Sequence, residues 1–418
     1  MSALGLSSRN RRPSSIGSSQ QRRHRPDYWL LVLSVIMLAL GLIIVYAISP
    51  GLSVQQHVGG NYYVNKQLIA IALGVVGFLV VANLPTQWWR RIETPLIAAA
   101  AGAAVLVRLF GEQVNGAYRW IQVGGFSFQA AELIKFALLI WLAGFLTDRI
   151  RNGELTDTQK TFKPLLIVLA IIAIVVGKLE SDLGSAGVMV AIMATMGFVA
   201  GLPLKRVALI GAAVLIGAAV LISGSSYRRQ RLDTFLNPTR DCQGSGYQAC
   251  QALIAVGSGG MFGKGVAQGV QAYGYLPEAA NDSIFAIFAE KFGFVGCTVL
   301  LGLFAAFYAR LKRIMEHAPD TYSQLLVTGI LAWLSTQTII NIGAMLGLLP
   351  LKGITLPFIS YGGTSVLFVT VAVGIAFQIS RYTTYSVSTQ NRSERDANDN
   401  RSNGRRLRGA YHPTPSSR

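Results

Sequence analysis

Charge is what this chain has least of: only 13% of its 418 residues are Asp, Glu, Lys or Arg, and the acids number 19. So few charges cannot clothe a soluble protein of this length, and with 52% hydrophobic residues the chain falls among polytopic membrane proteins. Cysteine is scarce too. Cys297 lies in an apolar run, while Cys242 and Cys250 share a polar segment where an oxidising compartment would permit a bridge and two free thiols are equally compatible. His24, His57, His317 and His412 are scattered and no Cys-x-x-Cys occurs, which argues against a Cys/His metal centre. There is no convincing internal repeat and no P-loop: in the glycine-rich run 257–265, Gly265 stands where Ser or Thr would hold magnesium. Glycines so densely spaced suit re-entrant backbone lining a cavity or approaching another segment closely.

What the chain has is long apolar runs. Ten segments approach the roughly 20 residues needed to cross a bilayer: 28–48, 68–84, 95–107, 133–146, 165–176, 183–202, 207–222, 283–308, 325–349 and 359–379. The third to fifth are short, so their helices must recruit flanking polar residues. The first is too long for a signal-peptide core and reads as a retained helix. The expected architecture is an all-α integral membrane domain over 27–381, with ten transmembrane helices and a large polar loop, 223–282, between the seventh and eighth. Flanking it, 1–26 and 382–418 are rich in Ser, Arg, Asn, Gln and Pro and read as disordered basic tails.

A net charge of +18 would suit nucleic acid, but its distribution argues against that partner. Arg9 to Arg25, Arg90 and Arg91, Arg149 to Lys163, Lys205 and Arg206, Arg310 to Arg313 and the last tail all fall on one side of the alternating runs. This is the positive-inside pattern, with both termini cytoplasmic and the tails facing anionic lipid. The loop 223–282 then faces outward with 51–65, 111–129, 177–182 and 350–355. A cationic rim around a few acids on that face suits an anionic, membrane-bound substrate such as a lipid diphosphate. For Arg228, Arg229 and Arg231 a merely solvated role is as good a reading.

Several motifs stand in a fixed order: Gly116-Ala117-Tyr118-Arg119-Trp120, Gln129-Ala130-Ala131-Glu132-Leu133-Ile134-Lys135, Asp182-Leu183-Gly184, Phe235-Leu236-Asn237-Pro238, Gly246-Tyr247-Gln248 and Tyr275-Leu276-Pro277-Glu278 with Asp282. Asn341-Ile342-Gly343, Gly347 to Ile354 and Leu356-Pro357-Phe358-Ile359-Ser360-Tyr361-Gly362-Gly363 follow. In this order, across nearly the whole membrane region, they resemble the SEDS family (shape, elongation, division and sporulation). Leu276-Pro277-Glu278-Ala279 and the long tails look more like its cell-division members than its elongation members.

The resemblance implies a peptidoglycan glycosyltransferase that polymerises lipid II on the outer face of the cytoplasmic membrane, at the division septum, beside a class B penicillin-binding transpeptidase and other divisome proteins. It implies Asp282 as the catalytic carboxylate, with Arg119, Lys352, Glu278, Lys264 and Ser360 as substrate contacts and Glu132, Lys135 and Asp182 as functional or structural charges. It leaves room for a divalent cation, magnesium or manganese, and calls for no organic cofactor. The chemistry agrees: a diphosphate leaving group needs charge neutralisation rather than protonation, so one carboxylate base suffices where a glycosidase needs two. Asp282 also precedes the eighth helix, where it would serve equally as a cap. Glu132 and Lys135, three apart on one helical face, read first as a structural ion pair, and Asp182 divides evenly between cap and function. Glu290 and Lys291, inside the eighth helix, must be partnered or face a cavity. The chain departs from the family pattern at Ala130, Glu180, Ser181, Ala272, Ala280, Asn281, Ser283 and Lys291. A lipid II flippase and a non-catalytic scaffold remain as alternatives.

Overall fold

Apolar continuity dictates the first element: no proline or charge interrupts the run after Asp27 until Pro50, and α1 (Tyr28–Gln55) starts where the Asp27 carboxylate accepts the Leu30 N–H at 3.2 Å. The computed structural model describes residues 22–23, 25–114, 117–123, 126–180, 182–224, 226–237, 240–266 and 268–383. Apart from a few residues beside the helical domain, the two tails lie outside the described residues.

The helices follow as α2 (Tyr62–Val81), α3 (Thr86–Phe110), α4 (Ala130–Arg151), α5 (Lys163–Ile172) between two π-helical turns, α6 (Leu183–Val199), α7 (Leu204–Ser223), α8 (Ser226–Leu236), α9 (Tyr247–Ser258), α10 (Ile284–Glu316), α11 (Thr321–Met345) and α12 (Gly363–Ile379). Among the described residues seven spans, in α1 to α5, α10 and α11, are long and apolar enough to cross a membrane, and α6 and α12 are apolar but shorter. The third and fourth apolar runs do recruit their polar flanks, growing to 25 and 22 residues. Between α3 and α4, the strands Glu112–Val114, Ala117–Val123 and Phe126–Gln129 form an antiparallel meander, with Trp120 opposite Gln129.

Large apolar side chains such as Val76, Leu215 and Phe294 are exposed on the bundle's outside, the pattern a lipid-facing surface requires. Lipid is as apolar as leucine, so close packing and internal hydrogen bonds must hold the helices together. The α2–α12 contact shows the first, with Gly74 against Thr370 and Gly77 against Val371. The second concentrates on α11, which packs against α4, α6, α10 and α12.

Three expectations change. The segment 223–282 is not one loop, because α8 and α9 lie within it: polarity hid them, as neither is long enough to span. The ninth and tenth apolar runs overreach, since α11 ends at Met345 and α12 begins only at Gly363. Between them Ile354, Leu356, Phe358 and Ile359 are buried without being helical. Phe358 turns at φ 67° against Gly41 of α1, where a Cβ would sit 2.5 Å from the Phe358 carbonyl oxygen. Non-helical backbone at this depth is tolerated because protein, not lipid, surrounds it.

The eighth run continues past Tyr308 to Glu316 but is broken at Gly293 (φ 65°, ψ −165°), a conformation essentially reserved for glycine. The glycine-rich segment is spliced into this break. Lys264 and Gly265 donate backbone N–H groups to the carbonyls of Glu290 and Lys291, while Phe294 and Val295 donate to Gly260 and Met261, at 2.8–3.0 Å. Backbone groups freed by the break are thus repaired by a segment roughly 30 residues upstream, meeting the demand that buried peptide groups be paired.

Candidate active site

One end of the bundle gathers basic residues. Arg90 of α3 pairs with Asp148 of α4, Arg310 of α10 with Asp27 at 3.8 Å, and the Asp27 N–H donates to Ser380 after α12. Asp282 lies at the other end, in the turn before α10. Its carboxylate does not cap that helix: Ser283 occupies the N-cap and makes no side-chain capping bond. The capping alternative therefore falls away. Asp182, in contrast, is a cap, accepting the Ser185 N–H at 3.0 Å and the Ser185 hydroxyl at 2.7 Å.

The backbone of the Asp282 turn is held on every side. The Asn341 amide of α11 donates to the Asp282 carbonyl at 2.7 Å, the Ser360 hydroxyl to the Asn281 carbonyl at 2.6 Å, and the Tyr361 N–H to the Ala280 carbonyl at 2.8 Å. Ser360 is buried and also accepts the Leu356 N–H at 2.7 Å. Its hydroxyl is thus engaged within the protein, beside the Asp282 turn. Glu278 holds the turn's start with a left-handed φ of 52°, its carboxylate accepting from the Asn281 amide.

The Asp282 side chain is partly buried, and its carboxylate accepts a long 3.5 Å bond from the Ser283 hydroxyl and one from its own backbone N–H. Desolvation raises its carboxyl to about 7, Glu278 adds to the rise, and Arg231 works against it. Arg231, on α8, also donates to the Leu351 carbonyl at 3.2 Å. It therefore holds the segment bearing Lys352 while acting electrostatically on the acid. Arg231 and Gln248 both line a cavity of about 170 Å³ whose apolar wall includes Phe235, Leu253 and Leu349. Gln248 reaches the Ser283 hydroxyl at 3.2 Å. This volume is below the few hundred Å³ of a typical ligand pocket, so it holds only part of a large substrate.

Other expected residues sit elsewhere. Lys264 faces Glu290 at 3.4 Å, and Glu290 also accepts the Val270 N–H at 3.0 Å, while Lys291 donates to the Val266 carbonyl at 2.6 Å. These charges clamp the segment spliced into α10, and Lys264 is one of them. Glu132 and Lys135 form a buried ion pair at 2.8 Å, and Lys135 also donates to Gln337 at 2.9 Å. Lys352 lies beside Gly184, just after the Asp182 cap. Arg119 belongs to the central strand of the meander, and its side chain lies outside the described residues. Cys242 and Cys250 are joined by a disulfide, resolving the choice the sequence leaves open. Among the described residues no group of three His, Cys, Asp or Glu is placed to hold a metal.

The family profile FTSW_RODA_SPOVE, described as cell cycle protein, matches residues 28–385. The chain is 37% identical to stage V sporulation protein E of Bacillus subtilis, over 87% of this chain and 99% of that one. It is 38% identical to the probable peptidoglycan glycosyltransferase FtsW of Saccharophagus degradans, over 88% and 95% respectively. Among solved structures, one described as structural coordination of polymerization and crosslinking by a peptidoglycan synthase complex aligns with TM-score 0.68 and 26% identity, covering 85% of this chain and 98% of that one. The rod shape determining protein RodA of Thermus thermophilus aligns with TM-score 0.62 and 26% identity, covering 85% and 97%.

Proposed function

The chain belongs to the FtsW/RodA/SpoVE family of cell cycle proteins, and we propose that it polymerises lipid II at the outer face of the cytoplasmic membrane with Asp282 as the base. It is a multi-pass membrane peptidoglycan glycosyltransferase. The observation that carries the assignment of Asp282 is its geometry: a partly buried carboxyl, neither a cap nor ion-paired among the described residues, at the opposite end of the bundle from the basic cluster. The positive-inside rule then makes its side the outer one, with both termini cytoplasmic. The Cys242–Cys250 disulfide supports the same orientation, since such bonds persist in oxidising compartments.

In this reading ten helices span the membrane: the seven long spans with α6, α7 and α12. The Asp282 carboxylate takes the proton from a sugar hydroxyl as that oxygen attacks the anomeric carbon of a second lipid-linked sugar. The anomeric carbon–oxygen bond breaks, and the lipid diphosphate leaves with the electron pair. Its negative charge is met by Arg231, which the Leu351 carbonyl holds in place before reaction, and by Lys352, with Arg119 as a third cation.

A class B transpeptidase is the proposed partner, and the likeness to a peptidoglycan synthase complex supports it. Purified chain and partner, supplied with lipid II, give the test. Glycan strands are expected. Translocation without strands would mark a flippase, and neither activity would leave a scaffold.

A further inference from the structure

Asp282 is held from behind by an amide on α11, and that amide is one of a pair. Asn341 directs its two amide protons at the carbonyls of Asp282 and Ile354, each at 2.7 Å. One turn earlier, Gln337 donates to the carbonyl and hydroxyl of Thr355 at 2.9 and 3.1 Å. The orientation of both amides is fixed by chemistry. Two carbonyls face Asn341, so only its nitrogen can point at them, and two donors, Lys135 at 2.9 Å and Trp333 at 2.8 Å, claim the Gln337 oxygen. Glu132 in turn binds Lys135, and Gln337 is wholly buried. The Asn341 carbonyl oxygen is buried with no hydrogen-bond partner among the described residues. Its amide is therefore held for what its nitrogen grips.

Successive carbonyls, Ile354 and Thr355, thus hang from residues 337 and 341 of one helix face, and the second residue grips the Asp282 peptide with its remaining proton. Lys352 lies two residues before Ile354 on the same suspended segment, and Arg231 ties down the Leu351 carbonyl just ahead of it. We propose that Gln337 and Asn341 are positioning residues for glycosyl transfer, an amide pair that sets the Asp282 carboxylate against the cationic segment bearing Lys352. The proposal rests on Asp282 being the base. It extends the role of the Glu132–Lys135 pair beyond stability, because that pair orients the first amide.

Small displacements of aligned groups cost about a hundredfold in rate, so Asn341→Leu, which removes both donors at similar size, is expected to lower kcat about 10²-fold with KM little changed. The sharper variant is Asn341→Asp. When protonated, its carboxyl can still donate to one carbonyl; when ionised, it repels both. The kcat profile of full-length protein with its transpeptidase partner and saturating lipid II should then change from a single limb rising with pH to a bell. Its acid limb is the ionisation of Asp282, and its alkaline limb is the loss of the new proton. A wild-type kcat and pH profile in both folded variants overturns the proposal. So does failure of both variants to yield folded, monodisperse protein, since the amide would then be a requirement of the fold. Asp282→Asn, run alongside, separates the two claims: an active Asp282→Asn enzyme removes the base assignment itself, whereas an inactive one with unaffected Asn341 variants removes only the positioning role.

Discussion

Two acids of this protein sit in contrasting surroundings. Glu132 is buried in α4 and matched by Lys135 at 2.8 Å, with Gln337 and Trp333 extending the network. Asp282 has no ion pair among the described residues, a neighbouring acid in Glu278, and an opposing charge, Arg231, that only partly offsets its desolvation. A matched charge is a fixed part of the scaffold. An unmatched one is held ready to change its protonation, which is what a base must do.

Substitution should separate the two. Asp282→Asn leaves the turn's backbone bonds in place, so thermal unfolding should stay within a degree or two of wild type while polymerisation falls about 10²–10⁴-fold, the span of a general base. Lys135→Met should do the reverse first: stranding the Glu132 carboxylate costs about 3–5 kcal/mol, read as a large drop in unfolding temperature in detergent. If Glu132→Met is added, much of that loss should return, because an apolar pair replaces an ion pair at little net cost.

Smaller effects sharpen the picture. Gly293→Ala forces a glycine-only conformation on alanine and puts a Cβ 2.3 Å from the Gly263 nitrogen. The backbone strain alone is about 1–3 kcal/mol, and unfolding measurements should show at least that. Smallest are the charge variants around Asp282. Arg231→Gln should move the midpoint of the pH–rate profile upward and Glu278→Gln should move it downward, each by about one pH unit or less because the surroundings are part solvent.

How legible this was in the sequence depends on the range of the interaction. Glu132 and Lys135 lie three residues apart, so helical periodicity alone puts them on one face. Asp182 capping α6 is equally local, and the apolar runs announce the helices. The splice of the 257–265 segment into α10 is different: glycine density hinted at a close approach, but nothing local tells that Gly293 is the partner. Likewise Arg231 carried no mark distinguishing it from Arg228 and Arg229, and only the packing of α8 brings it toward Asp282 and Leu351. Asn341 stood in a recognisable motif, yet its role depends on which carbonyls the fold brings to it. Hydropathy misplaced the ends of α11 and α12 because buried re-entrant backbone is as apolar as a helix.

The central claim is that a carboxyl with a raised pKa removes the acceptor proton, and the pH dependence of kcat for the wild-type protein with its partner, at saturating lipid II, tests it most directly. Below its pKa the carboxyl is neutral and cannot accept a proton; above it the carboxylate can. The rate should therefore rise with pH through a single ionisation near 7. A rate already at its plateau at pH 5, or one that falls as pH rises through 7, would contradict it.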